Sequence, residues 1–212
     1  MTLRLDYTAL LLYNIYMKLP EIIGIAGTNA SGKDTLAHMR AEISGCQHVT
    51  VSDILRRHLI TEGIPLERKN LSDLSRQWRS ETGDHGTLVT RTISAYLGEK
   101  ALMGFTGLSV VSLRHPQEAE RIKDHDGKVI WIDADPLTRY TRITSVDRSR
   151  VDDNKSFEEF LAEEEQDMNL GEDNDPARVN MSAVKEIADI HITNNHSTLA
   201  EYRDYLSNAF EL

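Results

Sequence analysis

Ile22-Ile-Gly-Ile-Ala26 runs directly into Gly27-Thr-Asn-Ala-Ser-Gly-Lys-Asp-Thr35. The β-branched run reads as a strand. The segment beyond it, Lys33 to Ser44, repeats apolar residues at Leu36, Ala37 and Met39 before a glycine stop at Gly45, and reads as a helix. Gly27, Gly32 and Lys33 therefore match G-x-x-x-x-G-K between a strand and a helix, the setting that a phosphate-cradling loop requires. Glycines allow the backbone to fold tightly so that several N–H groups point at a β-phosphate, and the helix N-terminus adds partial positive charge. Gly27, Asn29, Ala30, Ser31, Gly32, Lys33, Asp34 and Thr35 are the expected nucleotide-binding residues, with Lys33 reaching the β- and γ-phosphates. One position departs from the pattern. Ser or Thr ordinarily follows the lysine and gives its hydroxyl to Mg²⁺, but here the residue is Asp34. A carboxylate is also a hard oxygen ligand, so Asp34 is the expected metal residue, and Thr35 is left for the α-phosphate.

Working outward, short β-branched runs alternate with longer amphipathic stretches, the signature of βαβ units and a parallel sheet. Five strands are expected, at Glu21 to Ala26, His48 to Val51, Leu108 to Leu113, Lys128 to Asp133 and Asp189 to Thr193. The segments between them read as helix. Between the second and third strands, Asp53 to Thr61, Leu71 to Glu81 and Leu88 to Met103 all pattern as helix, far more chain than one crossover needs. That excess predicts a helical lobe, about 53–105, beside the site, where a second substrate is covered. Arg139 to Asp175 is rich in Asp, Glu and Arg. Within it Ser156-Phe-Glu-Glu is a capping-box pattern opening a helix to about Met168. The run Glu163-Glu-Glu reads as a solvated helix face in preference to a metal site, and Gly171 to Pro176 reads as a loop.

The chain has 212 residues, 40% hydrophobic and 27% charged, which suits one domain with a full apolar core, and no linker or repeat divides it. A formal net charge of −10 repels polyanions, so no nucleic-acid partner is expected and any phosphate must be held locally. The single cysteine, Cys46, excludes an intrachain disulfide and reads as a small buried residue. The apolar stretch Thr8 to Met17 is too short to cross a bilayer. With only Arg4 as an arginine or lysine before it and no small-residue cleavage pattern after it, it does not read as a signal peptide either. A cytoplasmic protein is expected, and residues 1–16 read as either a dispensable extension or an upstream start.

These residues resemble the nucleoside monophosphate kinase-like branch of P-loop proteins. The Ser-Gly-Lys-Asp-Thr variant is similar to that of the phage deoxynucleoside monophosphate kinases and the animal phosphomevalonate kinases. Thr50-Val-Ser-Asp53-Ile-Leu-Arg56-Arg57 looks like the acceptor-site entrance of adenylate kinases. Asp53, Arg56 and Arg57 are thus implied to bind substrate, although Asp53 or Ser52 as a helix cap explains the same pattern. Leu113-Arg114-His-Pro-Gln-Glu, Asp133-Ala-Asp-Pro-Leu-Thr-Arg-Tyr-Thr-Arg142 and Arg148-Ser-Arg-Val-Asp-Asp look like an archaeal family of nucleotide-kinase-like proteins grouped near the dephospho-CoA kinases, and this likeness spans roughly residues 20 to 208. In that family an aspartate usually ends the third strand, where this chain has Val111 and then Ser112. Mg²⁺ is thereby left to Asp34, Asp133 or water.

The resemblance implies a three-layer α/β/α fold and ATP with Mg²⁺ as cofactors. It implies an acceptor-phosphate clamp at Arg114, with a surface salt bridge as the alternative. The lid-like segment, 139–176, holds Arg139, Arg142, Arg148 and Arg150. Arg142 and Arg148 are the residues expected to neutralise the transferring phosphoryl group, with solvated arginines as the alternative. Asn194-Asn195 after the last strand resembles the loop that meets the adenine, though turn chemistry explains two asparagines equally. The expected activity is ATP-dependent phosphoryl transfer to a small phosphorylated acceptor, a nucleoside or deoxynucleoside monophosphate ahead of dephospho-CoA. A P-loop ATPase or nucleotide switch without a small acceptor is the alternative from a different class, and a degenerate fold that only binds nucleotide is a third.

Overall fold

The apolar runs form parallel strands because both of their faces are buried. In the computed structural model, which describes residues 3–4, 17–145, 156–168 and 178–212, these strands are β1 (Leu3–Arg4), β2 (Ile22–Gly27), β3 (Gln47–Thr50), β4 (Leu108–Val111), β5 (Lys128–Asp133) and β6 (Ile190–Thr193). The helices are α1 (Lys33–Ser44), α2 (Val51–Thr61), α3 (Arg68–Thr82), α4 (Thr87–Met103), α5 (Pro116–Lys123), α6 (Pro136–Thr144), α7 (Phe157–Met168), α8 (Met181–Ile187) and α9 (Leu199–Phe210). Arg148, Arg150, residues 8–16 of the apolar stretch and the loop expected over Gly171 to Pro176 lie outside the described residues.

Strand order is β1-β6-β5-β2-β4-β3, with every pairing parallel. The phosphate-loop strand β2 is therefore central. The five expected strands all form, and a sixth joins them, because Leu3 and Arg4 pair outside β6. Leu3 and Arg4 thus contribute a two-residue strand to the sheet's edge. Side chains alternate across β2. Ile23 and Ile25 pack with Leu36, Tyr202, Leu206 and Phe210 of α1 and α9, while Ile22 and Ala26 pack with Leu88, Leu113, Trp131 and Val184 on the opposite face. The result is three layers.

Two boundaries moved for identifiable reasons. Helix α2 begins at Val51 because Thr50 is its N-cap and Asp53 its third residue, closing a reciprocal capping box in which Thr50 N–H donates to Asp53 Oδ2 at 3.1 Å. The cap is therefore Thr50, and neither Ser52 nor Asp53. Strand β4 stops at Val111 because Ser112 takes a left-handed φ of 67°. Both Ser112 N–H (2.8 Å) and Leu113 N–H (3.4 Å) then turn to the same acceptor, Ile25 O. Cys46 is buried, with Sγ 3.5 Å from Thr106 Oγ1.

Register brings the carboxyl ends of the strands to one edge, pairing Ile25 with Val111, Gly27 with Ile132 and Asp133 with Thr193. Open α/β sheets bind ligands beyond such an edge, at the crevice where strand order reverses. No helix among the described residues is long and apolar enough to cross a membrane.

Candidate functional site

The loop between β2 and α1 is pressed against the neighbouring strand. A Cβ on Gly27, whose φ is 145°, would lie 1.9 Å from Ile132 O, and one on Gly32, φ 93°, would lie 2.5 Å from Asn194 Nδ2 and 2.8 Å from Tyr202 Cε1. Both glycines are thus demanded by conformation and by space. Gly32 is also the left-handed N-cap of α1, so the amides of Lys33 and Asp34 begin a helix with no intrahelical carbonyl to pair with, while Thr35 N–H bonds Gly32 O at 3.1 Å. This is a nest for an anion.

Three of the loop's carbonyls are held by side-chain donors, one from the loop itself and two from elsewhere in the chain. Lys33 Nζ donates to Thr28 O at 3.1 Å, Arg142 Nη1 to Ala30 O at 3.3 Å, and Asn194 Nδ2 to Ser31 O at 2.8 Å. Thr28 Oγ1 donates to Asp133 Oδ1 at 2.7 Å. Thr28, Ser31 and Asn194 are buried, and Ser31 Oγ is a buried hydroxyl with no hydrogen-bond partner. Asn29 and Asp34 are exposed, while Ala30, Gly32, Lys33 and Thr35 are half-buried. An unpartnered buried hydroxyl in a glycine loop at a helix N-terminus fits a polyphosphate better than it fits an apolar group. Burial pushes the Lys33 ammonium below the ordinary lysine range. Asp34 opposes that shift, and the positive charges of Arg114 and Arg139 add to it.

The arginines separate into three kinds. Arg139 is buried, forms a two-pronged ion pair with Glu164 of α7, donates from Nε to Ala134 O at 2.7 Å and lies over the Phe160 ring. It fastens α6 to α7. Glu164 is consequently part of a packed contact, which corrects the expectation that Glu163-Glu-Glu is wholly a solvated face. Arg142 donates to the carbonyls of Ala30, Asn194 and His196, the last two at 3.0 and 3.1 Å from Nη2. Its guanidinium serves the loop's outer side. Arg114 lies at the sheet edge with its side chain 45% exposed, and its Nη1 meets Asp167 Oδ2 of α7 at 2.8 Å. The surface-bridge reading of Arg114 therefore describes its present partner.

The Arg114 turn is held from beneath. Glu118 Oε2 accepts the backbone N–H of Arg114 at 2.7 Å and of His115 at 3.2 Å, while its Oε1 meets Arg79 Nη2 of α3 at 2.7 Å in a pair almost sealed from solvent. An ion pair so buried is costly to break, because either partner alone would be an uncompensated charge. Helix α3, in the expected helical lobe, is thereby tied to the turn that carries Arg114. Residue type and spacing could not have disclosed Arg79 or Glu118 as partners, since they lie 39 residues apart.

The expected acceptor entrance forms at the start of α2. Asp53 accepts Thr50 N–H and meets Arg56 Nη1 at 2.9 Å, and Arg56 also donates to Ser52 Oγ. Burial alone would raise the Asp53 pKa, but the hydrogen bonds from Thr50 and Arg56 outweigh it and hold the carboxyl below its usual range. Arg57 points outward and is exposed. Asn195 sits outside the loop, exchanging bonds with Asp135 at 2.7 and 2.9 Å. Among the described residues no group of three or more His, Cys, Asp or Glu side chains gathers to hold a metal ion.

No family model matches the chain. It is 28% identical over 187 residues to a UPF0200 protein of Pyrococcus abyssi, spanning 86% of this chain and 92% of the relative. To a UPF0200 protein of Thermococcus sibiricus it is 28% identical over 186 residues, 86% of this chain and 90% of the relative. Among solved structures, TT1252 from Thermus thermophilus superposes with a TM-score of 0.50 at 19% identity, over 85% of this chain and 91% of that one. The shikimate kinase of Bacteroides thetaiotaomicron superposes at 0.51 with 13% identity, over 88% and 94%. The UPF0200 names state no activity, the structural likeness at 13–19% identity shows the fold, and neither supports the dephospho-CoA kinase grouping. The chain is thus similar in sequence to the archaeal UPF0200 proteins and has the α/β fold of the P-loop kinases.

Proposed function

We propose that this protein transfers the γ-phosphoryl group of ATP to a small phosphorylated acceptor, with nucleoside and deoxynucleoside monophosphates as the leading class. What supports this reading is the presence of two cationic features at one sheet edge. One is the preset loop with Lys33, and the other is Arg114, near enough for its charge to depress the Lys33 pKa. A nucleotide switch has no use for the second. In this reading Lys33 leaves Thr28 O for the β- and γ-phosphates, while Arg114 exchanges the Asp167 carboxylate for the acceptor's phosphate. An acceptor oxygen then forms a bond to the γ-phosphorus as the bond to the β-phosphate bridging oxygen breaks, and ADP leaves. The protein's part is positioning and charge neutralisation. Arg142 serves by holding the loop, and the helical lobe by covering the acceptor.

Asp34, exposed in the first turn of α1, is the side chain offered to Mg²⁺, which would screen charge on the phosphates. A single carboxylate suits an ion that keeps several waters and phosphate oxygens. Asn194 would border the adenine.

A P-loop ATPase or switch without an acceptor is the second reading. It is favoured by the apolar, fully buried Val111 at the end of β4, where the resembling family usually has an aspartate. The test is coupled ADP release from ATP·Mg²⁺ against ribo- and deoxynucleoside monophosphates, dephospho-CoA and shikimate, each beside a no-acceptor control. Stimulation by one acceptor establishes the kinase and names its substrate. Turnover indifferent to all of them moves the function to an ATPase, and no turnover overturns both readings.

A further inference from the structure

Asp133 ends β5 at the same sheet edge, one residue beyond the Gly27–Ile132 pairing. Its Oδ1 accepts from the Thr28 hydroxyl at 2.7 Å and from Ala134 N–H at 2.9 Å. Its Oδ2 faces Lys185 Nζ at 3.5 Å, and Arg139 Nε lies 3.7 Å from Oδ1. The backbone of the same residue accepts Asn194 N–H at 2.7 Å, and Asn194 in turn holds Ser31 O. One residue therefore grips the loop twice, at Thr28 through its carboxylate and at Ser31 through Asn194. Thr28 is also the residue whose carbonyl receives Lys33 Nζ.

We infer that Asp133 is the positioning residue of the phosphate loop, acting through Thr28, and that this role accounts for its carboxylate in a chain whose β4 ends in valine. The physical reason is directional. A loop of consecutive inward N–H groups concentrates partial positive charge and gains stability when its outward polar groups are saturated by fixed acceptors and donors. The Thr28 hydroxyl is buried, so losing its acceptor would leave an unsatisfied donor at the second residue of the loop. Oδ1 already accepts two donors, one of them the Thr28 hydroxyl, so the carboxylate acts on the loop. This inference rests on the reading of the loop as a nucleotide site, but loop order can be measured without nucleotide.

Three variants, Asp133→Ala, Asp133→Asn and Thr28→Val, separate the possibilities. Hydrogen exchange of residues 27–35 in the free protein should accelerate in Asp133→Ala and Thr28→Val and stay near wild type in Asp133→Asn, whose amide oxygen still accepts from Thr28. Affinity for a fluorescent ATP analogue should fall about tenfold in the first two and about twofold or less in Asp133→Asn. The Thr28→Val/Asp133→Ala double variant should be no worse than either single one. If Asp133→Asn is as damaging as Asp133→Ala, the charge is what matters and the positioning role is overturned. Unchanged loop exchange in both Asp133→Ala and Thr28→Val overturns it equally. Should Asp133→Ala fail to fold, the contrast between Thr28→Val and Asp133→Asn decides. A wild-type protein that binds no ATP analogue sinks the proposed function while leaving the exchange experiment to judge Asp133.

Discussion

The two ends of the sheet use arginine in opposite ways. At the amino-terminal edge Arg40 of α1 is buried, and its guanidinium donates to Pro20 O at 2.8 Å, Glu21 O at 3.4 Å, Leu108 O at 3.3 Å and Ser109 Oγ at 3.0 Å. Three of those four partners are backbone groups of segments that the sheet already fixes, so nothing diffusing in from solvent can take their place. Burial lowers the Arg40 pKa. At the carboxyl edge Arg114 is half-exposed, and its guanidinium meets the Asp167 side chain on a separate helix. An exposed pair of that kind contributes little and can be exchanged for an incoming phosphate at small cost. The guanidinium is the same at both ends. The exchangeability of its partner distinguishes the structural arginine from the one offered to a ligand.

The sharpest way to break this contrast is Lys33→Ala. Turnover should fall by a factor of about 10² to 10³ or more, since a donor to the transferring phosphates is lost, while the thermal midpoint should not drop. Lys33 is held below its ordinary pKa, so the unfolded chain binds its proton more tightly. Its contribution to stability therefore rises with pH between the folded pKa and the unfolded value of about 10.4. Removing the residue should flatten that segment of the stability–pH curve. If Lys33→Ala left turnover unchanged, the site assignment would be wrong.

Arg40→Met should reverse the pattern. Denaturant unfolding should show a loss of about 3 kcal/mol, because several buried acceptors lose their donor together, while the KM for ATP stays at its wild-type value. A large change in KM would mean that the two edges are coupled. Arg114→Ala, next in size, should raise the KM for the acceptor about tenfold, with little change in that for ATP and a stability change within about 0.5 kcal/mol. Equal loss for both substrates would remove the clamp role. Asp167→Asn should run the other way, lowering the acceptor KM by about two- to fivefold as the competing carboxylate is discharged.

Asp53→Asn should cost about 1 kcal/mol of stability from the weakened capping box. Because its folded pKa lies below the unfolded value of about 3.9, its stabilisation is present above that pH and is lost as pH falls through the folded pKa. Melts of the two proteins should therefore converge in acid. A difference that persists at pH 2 would place the effect in packing.

Local chemistry was enough to make the loop and its flanking elements legible. A β-branched run, two glycines, a lysine and an amphipathic helix within 24 residues, from Glu21 to Ser44, specify their own backbone, because neighbours along the chain supply both the strand-to-helix turn and the anion-binding amides. The expected helix Lys33 to Ser44 matches α1 to the residue. The capping signal at Ser156 likewise fixed the start of α7, whose Glu159 side chain returns to Ser156 N–H at 2.7 Å. The partners were not legible. Whether Arg139 is buried against Glu164, Arg142 spent on loop carbonyls or Arg114 left at the surface depends on which strands and helices become neighbours across 25 to 112 residues of chain. Composition, spacing and charge are identical for a solvated arginine and a buried one. Residue order by itself determined the parallel α/β fold and the place of the phosphate loop, whereas the roles of the charged residues around that loop were decided only when tertiary contacts set their burial and their partners.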